Sequence, residues 1–185
     1  MLRTFLAIDL TDDVRRAIAR TQGELKKLAG RGVSWVRPEN MHITLKFLGD
    51  VEDARLPEVV DATCDAVGGA IPFEVDVQGL GTFGRRQPKV IWAGVLDPDG
   101  RMTDVFRATE AALAPLGFAA DTRRYLPHVT LGRVRRGAPR SLVDKIEHER
   151  ETAFGPVPVE SVTVYTSRLT KTGPLYSIAG HAPLG

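Results

Sequence analysis

A single cysteine, Cys64, stands among 185 residues. No internal disulfide can form, which excludes a secreted disulfide framework. Long apolar runs are also missing. Thr4 to Ile8 is among the longest and falls far short of the roughly 18–20 residues of a membrane helix. The N-terminus has no small-residue cleavage site and turns acidic at Asp9, so no signal peptide is expected. These shortages point to a cytoplasmic protein with no membrane partner. Charge of one sign is lacking too: 25 basic against 23 acidic residues leave +2, which is not the balance of a bulk nucleic-acid packager. Neither His-Glu-x-x-His nor Cys-x-x-Cys occurs, so no metal and no other cofactor is expected. Only four histidines are present.

What is present is ordinary for a folded domain. Hydrophobic content is 43% and charged content 26%, which excludes a disordered or collagen-like chain. The order of elements reads as an internal repeat. Phe5–Ile8 has strand length. Asp12–Leu28 has helical apolar spacing, with Thr11 as N-cap and Gly30 as a stop. Met41–Leu48 reads as a strand, Asp53–Val67 as a helix and Phe73–Val77 as a strand. The second half repeats the pattern with a strand at Val90–Leu96, a helix at Met102–Leu116 and a strand at Leu126–Val134. A helix at Ser141–His148 and a strand at Val157–Tyr165 complete it. The expected fold is α+β and bilobal. Two pseudo-symmetric lobes, repeats of about 1–87 and 88–185, each carry an antiparallel-rich sheet with outer helices. Together they make one domain over 1–185.

His-x-Thr-Leu occurs twice, at His42-Ile43-Thr44-Leu45 and His128-Val129-Thr130-Leu131. With 15 Thr and 18 Leu in the chain, two such hits among four histidines arise by chance about 4 times in 10,000. Alternation along a strand puts His42 and Thr44 on one face, and His128 and Thr130 likewise. Ile43, Leu45, Val129 and Leu131 then point to the core. Two such strands facing across a central cleft present two imidazoles and two hydroxyls. Imidazoles can give and take protons at neutral pH, and hydroxyls can hold phosphate oxygens. That set suits in-line displacement at phosphorus, one imidazole as base and one as acid.

The flanks add charge and aromatic surface. Six arginines fall between Arg123 and Arg140 with no acidic residue in that window, and arginine forks match phosphate geometry. Arg133 lies five residues after His128, a spacing that needs a bulge or twist near Gly132 to reach the histidine's face. Arg135, Arg136 and Arg140 read as solvated. A second basic cluster is Arg85, Arg86 and Lys89. Phe47, at the same offset from His42 as Arg133 from His128, is a candidate to stack a base, as are Tyr125 and Tyr165. Trp35 and Trp92 read as core, Cys64 as helix packing, and His148 and His181 as exposed and uninvolved.

These motifs resemble the two-histidine (2H) phosphoesterase superfamily. Phe5–Asp9, His42–Val51, Val90–Val95, Pro127–Arg133 and Gly173–Tyr176 resemble its RNA 2′,3′-cyclic phosphodiesterase branch, the LigT-like or 2′-5′ RNA ligase family. The resemblance covers nearly the whole chain, in order. It implies metal-independent hydrolysis of a 2′,3′-cyclic phosphate RNA end to a 2′-phosphomonoester. His42 would be the proton donor and His128 the proton acceptor that activates water. Thr44 and Thr130 would bind phosphate oxygens with help from Arg133, and a 5′-hydroxyl in place of water would give a 2′-5′ linkage. The partner implied is an RNA or oligonucleotide with a cyclic phosphate end, met by a monomer. The residues leave two alternatives open: the same chemistry on another cyclic phosphate or a short oligonucleotide, and a non-catalytic RNA- or nucleotide-binding module.

Overall fold

The structure, a computed structural model, describes residues 1–84, 86–171 and 173–185. Arg85 of the second basic cluster lies outside them. The described residues form nine strands and four α-helices. The strands are β1 (Leu2–Asp9), β2 (Val33–Trp35), β3 (His42–Val51), β4 (Phe73–Phe83), β5 (Val90–Leu96), β6 (His128–Val134), β7 (Ala153–Val159), β8 (Ser161–Thr170) and β9 (Gly173–Pro183). The helices are α1 (Asp12–Ala29), α2 (Leu56–Val67), α3 (Arg101–Leu113) and α4 (Arg140–His148).

Helix α1 begins where the sequence places it. The Thr11 hydroxyl accepts from the Val14 N–H, and Asp12 and Asp13 fill the first turn, where the helix dipole favours negative charge. Val14, Ile18 and Leu25 form its buried stripe. The short strands β2 and the long β9 have no counterpart in the sequence reading. The run Val157–Tyr165 proves to be parts of two strands, broken at Glu160. There β7 leaves one side of the sheet and β8 begins on the other, with Leu184 N–H donating to the Glu160 carbonyl.

All strands join one antiparallel sheet in the order β7-β4-β5-β6-β3-β1-β8-β9, with β2 on β6. The two lobes meet where β3 pairs β6 at Ile43 opposite Val129. The lobes are pseudo-symmetric about that junction, as expected, but they are not the two sequence repeats. Strand β4, from the first repeat, lies beside β5. Strands β8 and β9, from the second, lie beside β1. Each repeat therefore sends strands into the other's lobe. Helices α1 and α4 cover β7 and β4, while α2 and α3 cover β8, β9 and β3. Between helices and sheet lies one apolar core that includes Leu6, Ile8, Ile43, Ile91, Val129 and Leu131. The opposite face of the sheet is left for the site.

Candidate active site

Register brings the two motifs together. With Ile43 opposite Val129 in an antiparallel pair, His42 lies across from Thr130 and Thr44 across from His128. Each histidine thus faces the threonine of the other motif. The two histidines sit on a diagonal of this quadrilateral, where backbone positions are about 7–8 Å apart and side-chain origins somewhat closer. That span admits one tetrahedral phosphate. The intervening Ile43, Leu45, Val129 and Leu131 are buried beneath, as alternation requires.

Both motifs carry a bulge at the same place. On β3, Ala7 pairs Thr44 while Leu6 pairs Lys46, so Leu45 is the extra residue. On β6, Trp92 pairs Thr130 while Ile91 pairs Gly132, so Leu131 is the extra residue. A bulge exchanges the faces of everything beyond it. Lys46 therefore turns inward, where its Nζ meets Glu110 at 2.6 Å and the Ala119 carbonyl at 2.7 Å. Phe47 and Arg133 turn onto the face of the histidines. The carbonyls beside the bulges find new donors. Leu131 O accepts from the Gln22 side chain of α1 at 3.0 Å and from Val36 N–H at 2.9 Å. Thr44 O accepts from the Tyr125 hydroxyl at 3.3 Å.

The resulting cleft has a volume of about 790 Å³, and its walls include His42, Thr44, Phe47, Thr130 and Arg133. Phe47 is 67% exposed, an aromatic surface open to the cleft. Arg3, Arg37 and Arg135 also line it, and no described acidic residue does. Arg135 is exposed, as expected, and also lines the cleft. Two more of the arginine block have acidic neighbours: Arg123 pairs Asp121 at 2.6 Å and Arg140 lies 3.7 Å from Asp144. Arg86 and Lys89 are exposed on the connection between β4 and β5.

Each histidine is oriented in the same way. His42 Nδ1 is 2.9 Å from the Asn40 carbonyl, and His128 Nδ1 is 2.7 Å from the Leu126 carbonyl. In both cases the partner is two residues upstream. An Nδ1–H donated to a carbonyl leaves Nε2 as the nitrogen for proton exchange. Aromatic rings hold both imidazoles. Phe5 stacks on His42 at 4.8 Å, with Tyr165 and Tyr176 beyond. Phe83 and Trp92 flank His128 at 4.9 and 6.5 Å. Burial lowers the pKa of His42 from 6.5 to about 4, against opposing effects of the Asn40 carbonyl and Asp9. His128 is lowered too, by burial and by the neighbouring Arg133 charge. His42 is therefore neutral at pH 7.

Several expectations are corrected. Trp92 stands on the cleft face over Gly81, where an added Cβ would meet the indole at 2.2 Å. Trp35 packs partly on the core and also lines the cleft. Tyr125 stacks on Phe106 behind the sheet. Cys64 is half-buried on α2 and His148 is exposed, both as expected. His181, exposed as expected, nevertheless contacts Thr163 at 3.1 Å. The sequence reading missed Phe5, Asp9, Phe83 and Tyr176 beside the histidines. Alternation along β1, which sets Arg3, Phe5, Ala7 and Asp9 on one face, could have found two of them.

The chain matches the family model for LigT like phosphoesterases over residues 8–92 and 96–176. It belongs to the LigT-like phosphoesterase family. A protein of Methanothermobacter thermautotrophicus named RNA 2′,3′-cyclic phosphodiesterase is 36% identical over 180 residues, 95% of each chain. A protein of the same name from Thermotoga maritima is 35% identical, over 96% of this chain and 92% of its own. A crystal structure from Thermus thermophilus superposes with a TM-score of 0.83 at 26% identity, over 99% of this chain and 98% of that one. E. coli LigT complexed with 3′-AMP, at 22% identity and the same coverage, shares the fold with a TM-score of 0.80.

Proposed function

We propose that this LigT-like chain hydrolyses RNA 2′,3′-cyclic phosphate ends to 2′-phosphomonoesters, using His128 as proton acceptor and His42 as proton donor. The observation that carries this reading is the crossed quadrilateral of two histidines and two threonines, with both Nδ1 atoms tied to carbonyls. Water attacks phosphorus and loses its proton to His128 Nε2. The bond from phosphorus to the 3′ oxygen breaks as His42 Nε2 protonates that oxygen. Thr44 and Thr130 donate to the non-bridging oxygens, and Arg133 offsets their charge. Phe47 supplies a surface for the terminal base. A 5′-hydroxyl replacing water gives a 2′-5′ linkage by the same transfers.

His42 must carry a proton to act as donor. An anionic phosphate beside it opposes the burial that disfavours that proton. One acid and one base complete the displacement, so the reading needs no metal. Residues 1–185 act as one unit, because the histidines come from different repeats. A cytoplasmic monomer completes the reading, the single cysteine fitting a reducing compartment. An oligoribonucleotide ending in a 2′,3′-cyclic phosphate is expected to yield a 2′-phosphate at the same rate with and without excess chelator. Release of a 3′-phosphate, or arrest by the chelator, overturns the assignment. Sedimentation at micromolar concentration checks the monomer.

A further inference from the structure

Asp9 ends β1 directly opposite His42 on β3, so the two side chains leave the sheet on the same face. Directly opposed residues have Cβ atoms about 4.5–5.5 Å apart. The carboxylate does not bond the imidazole, whose Nδ1 is engaged by the Asn40 carbonyl. It is fixed from the other side. The Tyr165 hydroxyl donates to Oδ1 at 2.5 Å and the Thr163 hydroxyl donates to Oδ2 at 2.7 Å. Thr163 is fully buried, and its oxygen lies 3.1 Å from His181 Nδ1. A hydrogen-bonded chain thus crosses three strands, from His181 on β9 through Thr163 on β8 to Asp9 on β1, which stands beside His42. Burial and the adjacent carboxylate keep the Tyr165 phenol protonated, its pKa pushed well above the ordinary value.

We propose that Asp9, clamped by Tyr165 and Thr163, is the positioning residue that holds a proton on His42 for donation to the leaving oxygen. The inference rests on the assignment of His42 as donor. Other groups also face this imidazole. His128 on β6 brings positive charge when protonated, Arg133 lines the larger cleft with it, and Arg15 on α1 and Glu39 before β3 line a small cavity with it. Tyr165 and Tyr176 on β8 and β9 contribute neutral phenols. Asp9 is the carboxylate among them that is both opposite His42 in register and locked by two hydroxyls. Removing its charge while keeping its shape should therefore make His42 lose its proton earlier. The effect belongs to the alkaline limb of the pH–rate profile, where the donor is deprotonated.

The test is Asp9→Asn, with Tyr165→Phe and Asp9→Glu beside it. Rates on a dinucleotide ending in a 2′,3′-cyclic phosphate are followed from pH 5 to 9. The alkaline limb of Asp9→Asn is expected to move about one pH unit to the acid side, the low end for loss of an opposite charge at this distance. The rate above that limb then falls about tenfold, while KM and the acid limb stay in place. Tyr165→Phe should give a smaller move in the same direction, and Asp9→Glu should restore the limb. Imidazole titration by NMR on the substrate-free protein gives an independent readout: the His42 resonance should titrate at lower pH in Asp9→Asn, with His128 unmoved. A rate lowered equally at every pH, or an unmoved His42 titration in a folded variant, overturns the proposal. If the wild type turns over no cyclic phosphate, the functional assignment fails while the NMR titration still decides the role of Asp9.

Discussion

Each histidine of the quadrilateral is a half-buried base whose proton burial disfavours, and this has two consequences. General acid or base catalysis by a placed side chain contributes about 10²–10⁴-fold. His42→Ala and His128→Ala are each expected to lower kcat by that range while circular dichroism stays native. A variant retaining near wild-type kcat means its imidazole transfers no proton. The second consequence is for stability. His42 titrates at about 4 in the folded chain against an ordinary 6.5, so between those values the unfolded state binds the extra proton. Stability is then full above about pH 6.5 and falls as pH drops toward 4. At 1.36 kcal/mol per pH unit, the loss by pH 4.5 is roughly 2–3 kcal/mol from this group. His42→Ala should lose correspondingly less between pH 7.5 and 4.5, read as the change in urea-unfolding free energy. At this scale the four motif residues were legible because strand alternation is local. Asp9 was not, since it stands 33 residues from His42 and only strand pairing makes them neighbours.

The paired bulges show how an element can defeat simple alternation and still serve the site. By strict period 2, Lys46 would face the cleft and Phe47 and Arg133 the core. One extra residue in each strand reverses all of them, and the freed carbonyls have to be satisfied. On β6 this falls to Gln22, a fully buried polar residue of α1 whose amide also donates to the Val36 carbonyl at 2.7 Å. Gln22→Leu removes both donations: Leu131 O keeps the Val36 N–H, while Val36 O loses its side-chain donor. Losing a donor to a partly buried carbonyl costs about 1–3 kcal/mol, and the bulge that aims Arg133 loosens. The expected outcome is a drop in stability of that size, with a rise in KM for the cyclic phosphate larger than the change in kcat. Unchanged KM would show that the bulge holds its shape without Gln22. The sequence carried a trace of this in the equal +5 offsets of Phe47 and Arg133. It could not show which residue is doubled, because Leu45 and Leu131 look like ordinary core positions. Gly132 marks one bulge more plainly, since a Cβ there would meet Trp35 and Val33 at 2.9 Å.

Over the whole molecule, element order was legible but the partition into lobes was not. The repeat of strand, helix, His-x-Thr strand, helix, strand invites a picture of two self-contained halves, and local patterning cannot correct it. Which strand lies beside which depends on pairings distant in sequence, such as Phe5 with Tyr165 and Val77 with Val95. In the folded chain β1 is flanked by β3 and β8, and β4 by β5 and β7. Fragment 1–87 therefore holds β1 without β8, and β4 without either neighbour. Fragment 88–185 holds β8 and β9 without β1, and β5 without β4. Each would expose strand edges and an apolar face such as Leu6 and Ile8 or Val162 and Val164, all buried in the intact chain. Unpaired backbone groups on such edges and uncovered apolar area both oppose folding. Each fragment alone is expected to give the narrow amide proton dispersion of an unfolded chain. Mixed in equal amounts, they should recover native dispersion, because every missing neighbour is on the other fragment. They should also recover hydrolysis of the cyclic phosphate, because the quadrilateral takes one histidine and one threonine from each. A fragment that folds alone would show that the exchanged strands are dispensable to its lobe. Recovery of fold without activity would place the failure in the β3–β6 junction, where one residue pair, Ile43 with Val129, sets the register of the whole site.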